Sequence, residues 1–301
     1  MMREMRATMA EDGEPLRNFA RLLGTLRPRL HRYCARMTGS AVDGEDVVQE
    51  ACVKAIEAFA AAGPLANPEG WLFRIAHNTA LDFLRRRARH AVLHDDRDLD
   101  LLVDPATASE RPAAAASLRH FMHLPVAERS SVLMMDLLGY SLVEIGRTID
   151  STVPAVKAAL HRGRRRLQAL ADRPDEGPQP TLSAAERDRL GRYADRFNAH
   201  DFDALRDLLA EDVRLELVNR LRLAGKTEVQ RYFGNYAGAA GWHLAPGLAD
   251  GRPALLVRDP RDPAARPGYF VLLDWTGDRI TGIRDFRYAA YVADGAGLQA
   301  A

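Results

Sequence analysis

The stretch Arg173–Pro180 constrains this chain more than any other, because it places Pro174, Pro178 and Pro180 around Gly177. A proline removes a backbone donor and clashes with the preceding turn, so no helix runs through such a segment. Before it, apolar side chains recur at helical spacing; after it, several runs have the composition and alternation of strands. The chain must therefore fold as an all-α portion followed by an α+β portion. Its 301 residues suffice for two or three units, each with a modest core.

A second break divides the helical portion. Residues 91–116 carry Asp95, Asp96, Asp98, Asp100 and Asp104 together with Pro105 and Pro112, the composition of a linker. Upstream, Phe19, Leu22, Leu23, Leu26 and Leu30 repeat at helical spacing in a pattern that extends to about Arg89, and the periodicity resumes from Leu118 to Ala171. The expected organisation is multidomain: a disordered tail 1–15, a helical domain 16–90, a linker 91–116, a second helical domain 117–172, a linker 173–182, an α+β domain 183–293 and a tail 294–301. Within the α+β domain, 184–200 and 202–209 read as helices. The segments 213–218, 254–257, 269–275 and 280–288 read as strands.

Composition excludes more than it assigns. No apolar run reaches the roughly 20 residues of a membrane span, and Met1–Pro15 lacks the apolar centre of a secretory signal. The formal net charge is +1, so a polyanionic partner can only be bound through local clusters of charge. Cys34 and Cys52 form no metal or redox spacing and read as reduced, buried thiols of a cytoplasmic chain. No metal-binding cluster, nucleophile elbow or glycine-rich phosphate loop occurs, so no cofactor and no metal are implied.

The strongest local signal is Gly139–Leu170, which reads as a helix-turn-helix. Leu142, Ile145 and Ile149 line one face of a short helix, with Gly146 small enough for a second helix to cross closely. Asp150, Ser151 and Thr152 make the turn: Asp tolerates a left-handed backbone, Thr152 can cap the next helix, and Pro154 fits its first turn. Val153, Val156, Leu160, Leu167 and Leu170 form the expected buried stripe of the second helix. Lys157, His161, Arg162, Arg164, Arg165 and Arg166 occupy its other faces, and no acidic residue of that helix interrupts them. Such a helix suits a major groove, where cations neutralise phosphate and side chains near the helix start reach base edges.

These residues, Tyr140-Ser-Leu-Val-Glu-Ile-Gly and Val153-Pro-Ala-Val-Lys-Ala-Ala-Leu-His-Arg-Gly-Arg-Arg-Arg-Leu, resemble the fourth conserved region of extracytoplasmic-function sigma factors. The upstream half resembles the second region of the same family through Asp43-Gly-Glu-Asp-Val-Val-Gln-Glu-Ala-Cys-Val-Lys-Ala. A further match is Asn67-Pro-Glu-Gly-Trp-Leu-Phe-Arg-Ile-Ala-His-Asn-Thr-Ala-Leu-Asp-Phe-Leu-Arg-Arg-Arg. The resemblance covers Leu16 to Ala171 apart from the linker. It implies that Asp43, Glu45, Asp46, Gln49 and Glu50 dock on core RNA polymerase, with Val47, Ala51 and the aliphatic residues around Ile56 packed inward. It implies a melted minus-10 element of promoter DNA held by Trp71, Arg74, Asn78, Arg85, Arg86 and Arg87, Trp71 reading as core before stacking platform. It implies a minus-35 element read by Thr152, Pro154, Ala155, Lys157, Ala158, His161, Arg162 and Arg165. Ala155 and Ala159 depart from the polar or basic residues usual in that family's recognition helix.

The last portion resembles the SnoaL-like branch of the nuclear transport factor 2-like fold, a cone of helices against a curved sheet. The resemblance runs through Tyr193-Ala-Asp-Arg-Phe-Asn-Ala-His-Asp-Phe-Asp-Ala-Leu-Arg-Asp-Leu-Leu-Ala-Glu-Asp-Val and Gly225-Lys-Thr-Glu-Val-Gln-Arg-Tyr-Phe. Its pocket candidates are Trp242, His243, Tyr269, Asp274, Trp275 and Asp285, with Phe286 nearby; each also reads as core or, for Asp274, as the opening of a turn. The resemblance leads to a non-enzymatic initiation factor whose last domain contacts and modulates the other two, with no membrane partner. A ligand-sensing one-component regulator and a bifunctional protein with an enzymatic pocket are the alternatives.

Overall fold

Local chemistry starts and stops each helix of the first half. The Ser40 hydroxyl accepts from the Asp43 amide to begin α2 (Ala41–Ala62), just after α1 (Gly13–Thr38) ends at Gly39 with φ 79°. The Asn67 side-chain oxygen accepts from Gly70 N at the start of α3 (Pro68–Val92), whose first residue is a proline that needs no partner for its missing donor. At Gly44 the α1 and α2 backbones touch so closely that a Cβ there would lie 2.5 Å from Ala35. The computed structural model describes residues 13–63, 65–92, 118–171, 180–237, 241–262 and 265–301. Of the expected linker 91–116, residues 91 and 92 belong to the end of α3 and the rest falls outside them, as do most of 173–182 and the expected tail up to residue 12, while Gly13–Pro15 already belongs to α1.

After residue 118 come α4 (Leu118–Met122), α5 (Val126–Val132), a π-helical turn (Leu133–Leu137), α6 (Leu142–Ile149) and α7 (Val153–Ala171). The core of these helices is continuous with that of the first three. Phe19, Leu30, Tyr33, Val48 and Phe73 from the first three helices join Phe121, Leu133, Ile145 and Leu167 in one cluster, within one compact unit. Polar groups fasten the same seam. The Arg129 guanidinium donates to the carbonyls of Met37, Met122 and Leu124, covering helix-end acceptors that would otherwise be orphaned. Burial, with Arg87 second, lowers its pKa to about 10.

The remaining chain forms a second unit. Its helices are α8 (Ala184–Asn198), α9 (Phe202–Asp207) and α10 (Lys226–Ala237). A seven-stranded sheet runs in the order β2-β1-β6-β5-β4-β3-β7, with β1 parallel to β6 and all other neighbours antiparallel. The strands are β1 (Leu209–Leu217), β2 (Leu221–Ala224), β3 (His243–Ala249), β4 (Arg252–Arg258), β5 (Tyr269–Thr276), β6 (Arg279–Asp285) and β7 (Gln299–Ala300). Leu215, Leu244, Leu255, Leu273 and Ile283 share a core with Leu190 and Phe197 of α8, so the helices cover that sheet face. The α+β expectation is met. Residues 294–301 are not a tail, because β7 pairs with β3 and Asp250 N donates to Ala296 O. Strand β6 stops at Asp285, short of the expected 288, and Tyr288 lies in a 3₁₀ turn (Arg287–Val292).

Candidate nucleic-acid interface

The helix-turn-helix is built by the turn residues. Ser141 and Glu144 form a reciprocal capping box that starts α6, and Asp150 ends it at φ 53° in the left-handed region. The Thr152 hydroxyl then accepts from Ala155 N, opening α7. Gly146 is needed for the turn rather than for a helix crossing: a Cβ there would lie 2.7 Å from the Ser151 carbonyl oxygen.

Along α7 the buried side chains are Val156, Ala159, Leu160 and Leu167, with Leu170 half-buried. Val153, expected in that stripe, is instead 40% exposed. Ala159 packs inward at 4% exposure, so of the two alanine departures only Ala155 faces outward. Thr152, Pro154, Ala155, Lys157, Ala158, His161 and Arg162 are exposed, and Arg165 is half-buried with an unpartnered Nε. The cations of the C-terminal half meet carboxylates from elsewhere in the unit. Arg162 Nε donates to Glu128 at 2.9 Å, Arg166 lies 3.3 Å from the same side chain, and Arg164 is held by Asp136. The side-chain hydrogen bond from Arg164 to that carboxylate outweighs desolvation and raises the Arg164 pKa.

The α2 surface is narrower than expected. Glu45 turns inward at 1% exposure and pairs with Arg27, whose Nε and Nη2 both donate to Glu45 Oε1 at 3.1 and 2.5 Å. It falls on the stripe of Ala41, Val48, Cys52 and Ala55, all buried, and so cannot serve a docking surface. Asp43, Asp46, Gln49 and Glu50 remain half-exposed. Glu50 pairs with Lys54 at 2.8 Å and with Arg86 at 2.7 Å, and these bonds together lower its pKa although desolvation, the largest single influence, opposes them. Val53 and Ile56, 51% and 46% exposed, extend the same helix face. Ile56 was expected to pack inward, and Val53 was missed; their spacing from Gln49 and Glu50 at i+3, i+4 and i+7 was the available signal.

On α3, Trp71 is half-buried, with its ring edge-on to Phe19 at 5.9 Å, which supports its core reading. Arg74, Asn78, Arg85, Arg86 and Arg87 are exposed. Arg74 donates to the Arg147 carbonyl of α6 at 2.7 Å, Arg85 pairs with Asp82 at 3.0 Å, and Arg87 bonds Thr38 O at 3.0 Å with Asp43 3.6 Å away. Cys34 and Cys52 are both buried, and burial raises both thiol pKa values. Among the described residues no helix is long and apolar enough to cross a membrane.

The six pocket candidates of the α+β unit do not converge. Asp285 is fully buried; its Oδ2 accepts from the Tyr232 and Tyr236 hydroxyls, each at 2.7 Å, and its Oδ1 from Arg287 N at 2.8 Å. Burial, then the Asp285 carboxylate, raises the hydroxyl pKa of Tyr193, Tyr232, Tyr236 and Tyr269. The Arg287 guanidinium sits 4.3 Å from the Trp242 ring centroid. Asp274 and Trp275 instead line a separate cleft of about 330 Å³ with Arg189, Arg252 and Arg284. Asp274 lies within β5 over Gly282, where a Cβ would come within 3.1 Å of its Cβ and closer still to its carboxylate, so it does not open the turn. His243 is exposed at the start of β3.

Two family models match in the order of these surfaces: Sigma-70 region 2 over residues 22–90 and Sigma-70, region 4 over residues 121–167. This defines the class, a promoter-recognising sigma factor of the sigma-70 type. The ECF RNA polymerase sigma factor SigG of Mycobacterium tuberculosis is 26% identical over 86% of this chain and 78% of its own. SigF of Caulobacter vibrioides, also an ECF RNA polymerase sigma factor, is 33% identical over 50% of this chain and 82% of its own. An NTF2-like protein of Mesorhizobium loti superposes with a TM-score of 0.27 and 20% identity over 35% of this chain and 93% of that one. The chain belongs to the extracytoplasmic-function RNA polymerase sigma factors.

Proposed function

We propose that α2 docks on core RNA polymerase through Asp43, Asp46, Gln49 and Glu50 with the exposed Val53 and Ile56 beside them, and that α3 and α7 contact the two promoter elements. On α3, Asn78 bonds an unstacked base of the minus-10 element, and Arg74, Arg85, Arg86 and Arg87 hold its phosphates. On α7 the exposed face from Thr152 to Arg162, continued by Arg165, enters the major groove at the minus-35 element. The observation that carries this reading is the order of the two sigma regions along one chain, with the capped helix-turn-helix presenting the start of α7 outward. The factor is cytoplasmic and performs no chemistry of its own. Its α+β unit, joined through residues 173–182, modulates initiation from a tethered position by contacting the sigma unit, with the high effective concentration a short connection provides.

Run-off transcription with purified core polymerase on a pool of genomic promoters tests this, comparing the full chain with one ending near Arg173. Promoter-specific transcripts from the full chain, with a changed yield from the shorter one, are expected. Equal output and affinity from both would remove the modulatory role; no transcripts and no polymerase binding would remove the initiation role and favour a one-component regulator.

A further inference from the structure

The exposed start of α7 carries small apolar side chains. Val153, Pro154, Ala155 and Ala158 are all exposed, within the first two turns of the helix. Recognition helices of this kind meet base edges with their N-terminal residues, while flanking cations meet phosphates. The cations of α7 are distributed accordingly. Arg162, Arg164 and Arg166 lie in its second half and are held by Glu128 and Asp136, while Arg165 follows further along the helix, leaving Lys157 and the His161 ring beside the apolar face. Neither alanine can offer a hydrogen bond to a base edge. In the major groove the base feature that an alanine methyl or a valine recognises is the C5 methyl of thymine.

We infer that α7 reads its upstream element through thymine methyl groups packed against Ala155, Ala158 and Val153, with Lys157 and His161 on the adjacent phosphates. This rests on the promoter-binding role of α7. It predicts an element with thymines on either strand where the helix start lies, and an affinity set by methyl contact rather than by bidentate hydrogen bonds.

The test uses the full chain bound to core polymerase. The upstream element is selected from a randomised duplex pool, and each thymine in it is then replaced by deoxyuridine, which lacks only the C5 methyl and pairs identically. Loss of about fourfold in affinity per contacted methyl is expected, the worth of one buried carbon group. With Ala155→Ser or Ala158→Ser the thymine preference should shrink at one position each while the complex still forms. Equal affinity for the thymine and deoxyuridine templates, or a selected element without thymine under the helix start, would overturn the inference and leave the initiation role standing. Absence of any sequence-selected complex would overturn both.

Discussion

A single carboxylate separates a docking surface from a core. Glu45 is the buried partner of Arg27, and removing one member of such a pair leaves the other charged and desolvated. Glu45→Ala should therefore cost about 3–5 kcal/mol in urea unfolding, whereas Glu50→Ala, on the half-exposed rim, should cost under about 1 kcal/mol and weaken polymerase binding instead. The inward position was legible: Glu45 follows Ala41 by four residues and precedes Val48 by three, on the buried stripe of α2. Its partner was not, because Arg27 lies on another helix, and sequence spacing carries no information about which helix faces which. A second residue ties stability to pH. His77 is 5% exposed, with Nδ1 hydrogen-bonded to the Tyr33 hydroxyl at 2.7 Å, and burial, with Arg85 second, lowers its pKa from 6.5 to about 4. As pH falls from 6.5 towards 4 the unfolded chain takes up a proton that the folded chain refuses, so the stability present above pH 6.5 drains away through this window. Between pH 7 and 5 the loss from this group is about 2 kcal/mol. A His77→Gln variant should show a correspondingly smaller difference between urea curves recorded at those two values.

At the scale of elements, the helix-turn-helix was the most readable part, because Ser141, Asp150, Thr152 and Pro154 act on backbone within a few residues of themselves. Gly146 is its tightest point. Gly146→Ala would force Cβ against a backbone carbonyl, at a cost of about 1–3 kcal/mol. Hydrogen exchange should show the loosening confined to α6 and α7, together with weaker upstream-element binding; unchanged protection there would contradict this account. The α+β unit was less legible. Strand β3 contains Pro246 and Gly247, both signals against a strand. It forms because β4 pairs along its whole length on one side, while on the other the close approach of Gln299 leaves room only for glycine. Strands β2 and β7 hold four and two residues, too few to show a period. The pocket candidates divided for a related reason: Asp274 and Asp285 lie on the neighbouring strands β5 and β6, and strand pairing rather than composition decides which sheet face each one takes.

At the scale of the molecule, the regions that match the two sigma models share one core and one set of clasping bonds, among them Arg74 to Arg147 O and Arg129 to Met37 O. That sharing is a statement about reach. A unit of this size has a radius of gyration of about 14 Å. Elements centred near minus-35 and minus-10 lie about 25 base pairs apart, or about 85 Å along the duplex. Closed as it is, the unit spans less than that distance, so the proposed contacts with both elements would require α3 and α7 to part. From Val92 to Leu118 the chain advances 26 residues, a contour of about 86 Å at 3.3 Å per residue. That contour is about the separation of the two elements. Removing about half of residues 93–117 would cut that contour to about 45 Å. Such a chain should still bind core polymerase, yet transcribe poorly from promoters that carry both elements at their usual separation and recover when the spacing is shortened. Full activity on the unaltered promoter would show that the span is covered some other way. Under the proposed roles of α3 and α7, the length of chain between them would set the distance over which a promoter can be measured.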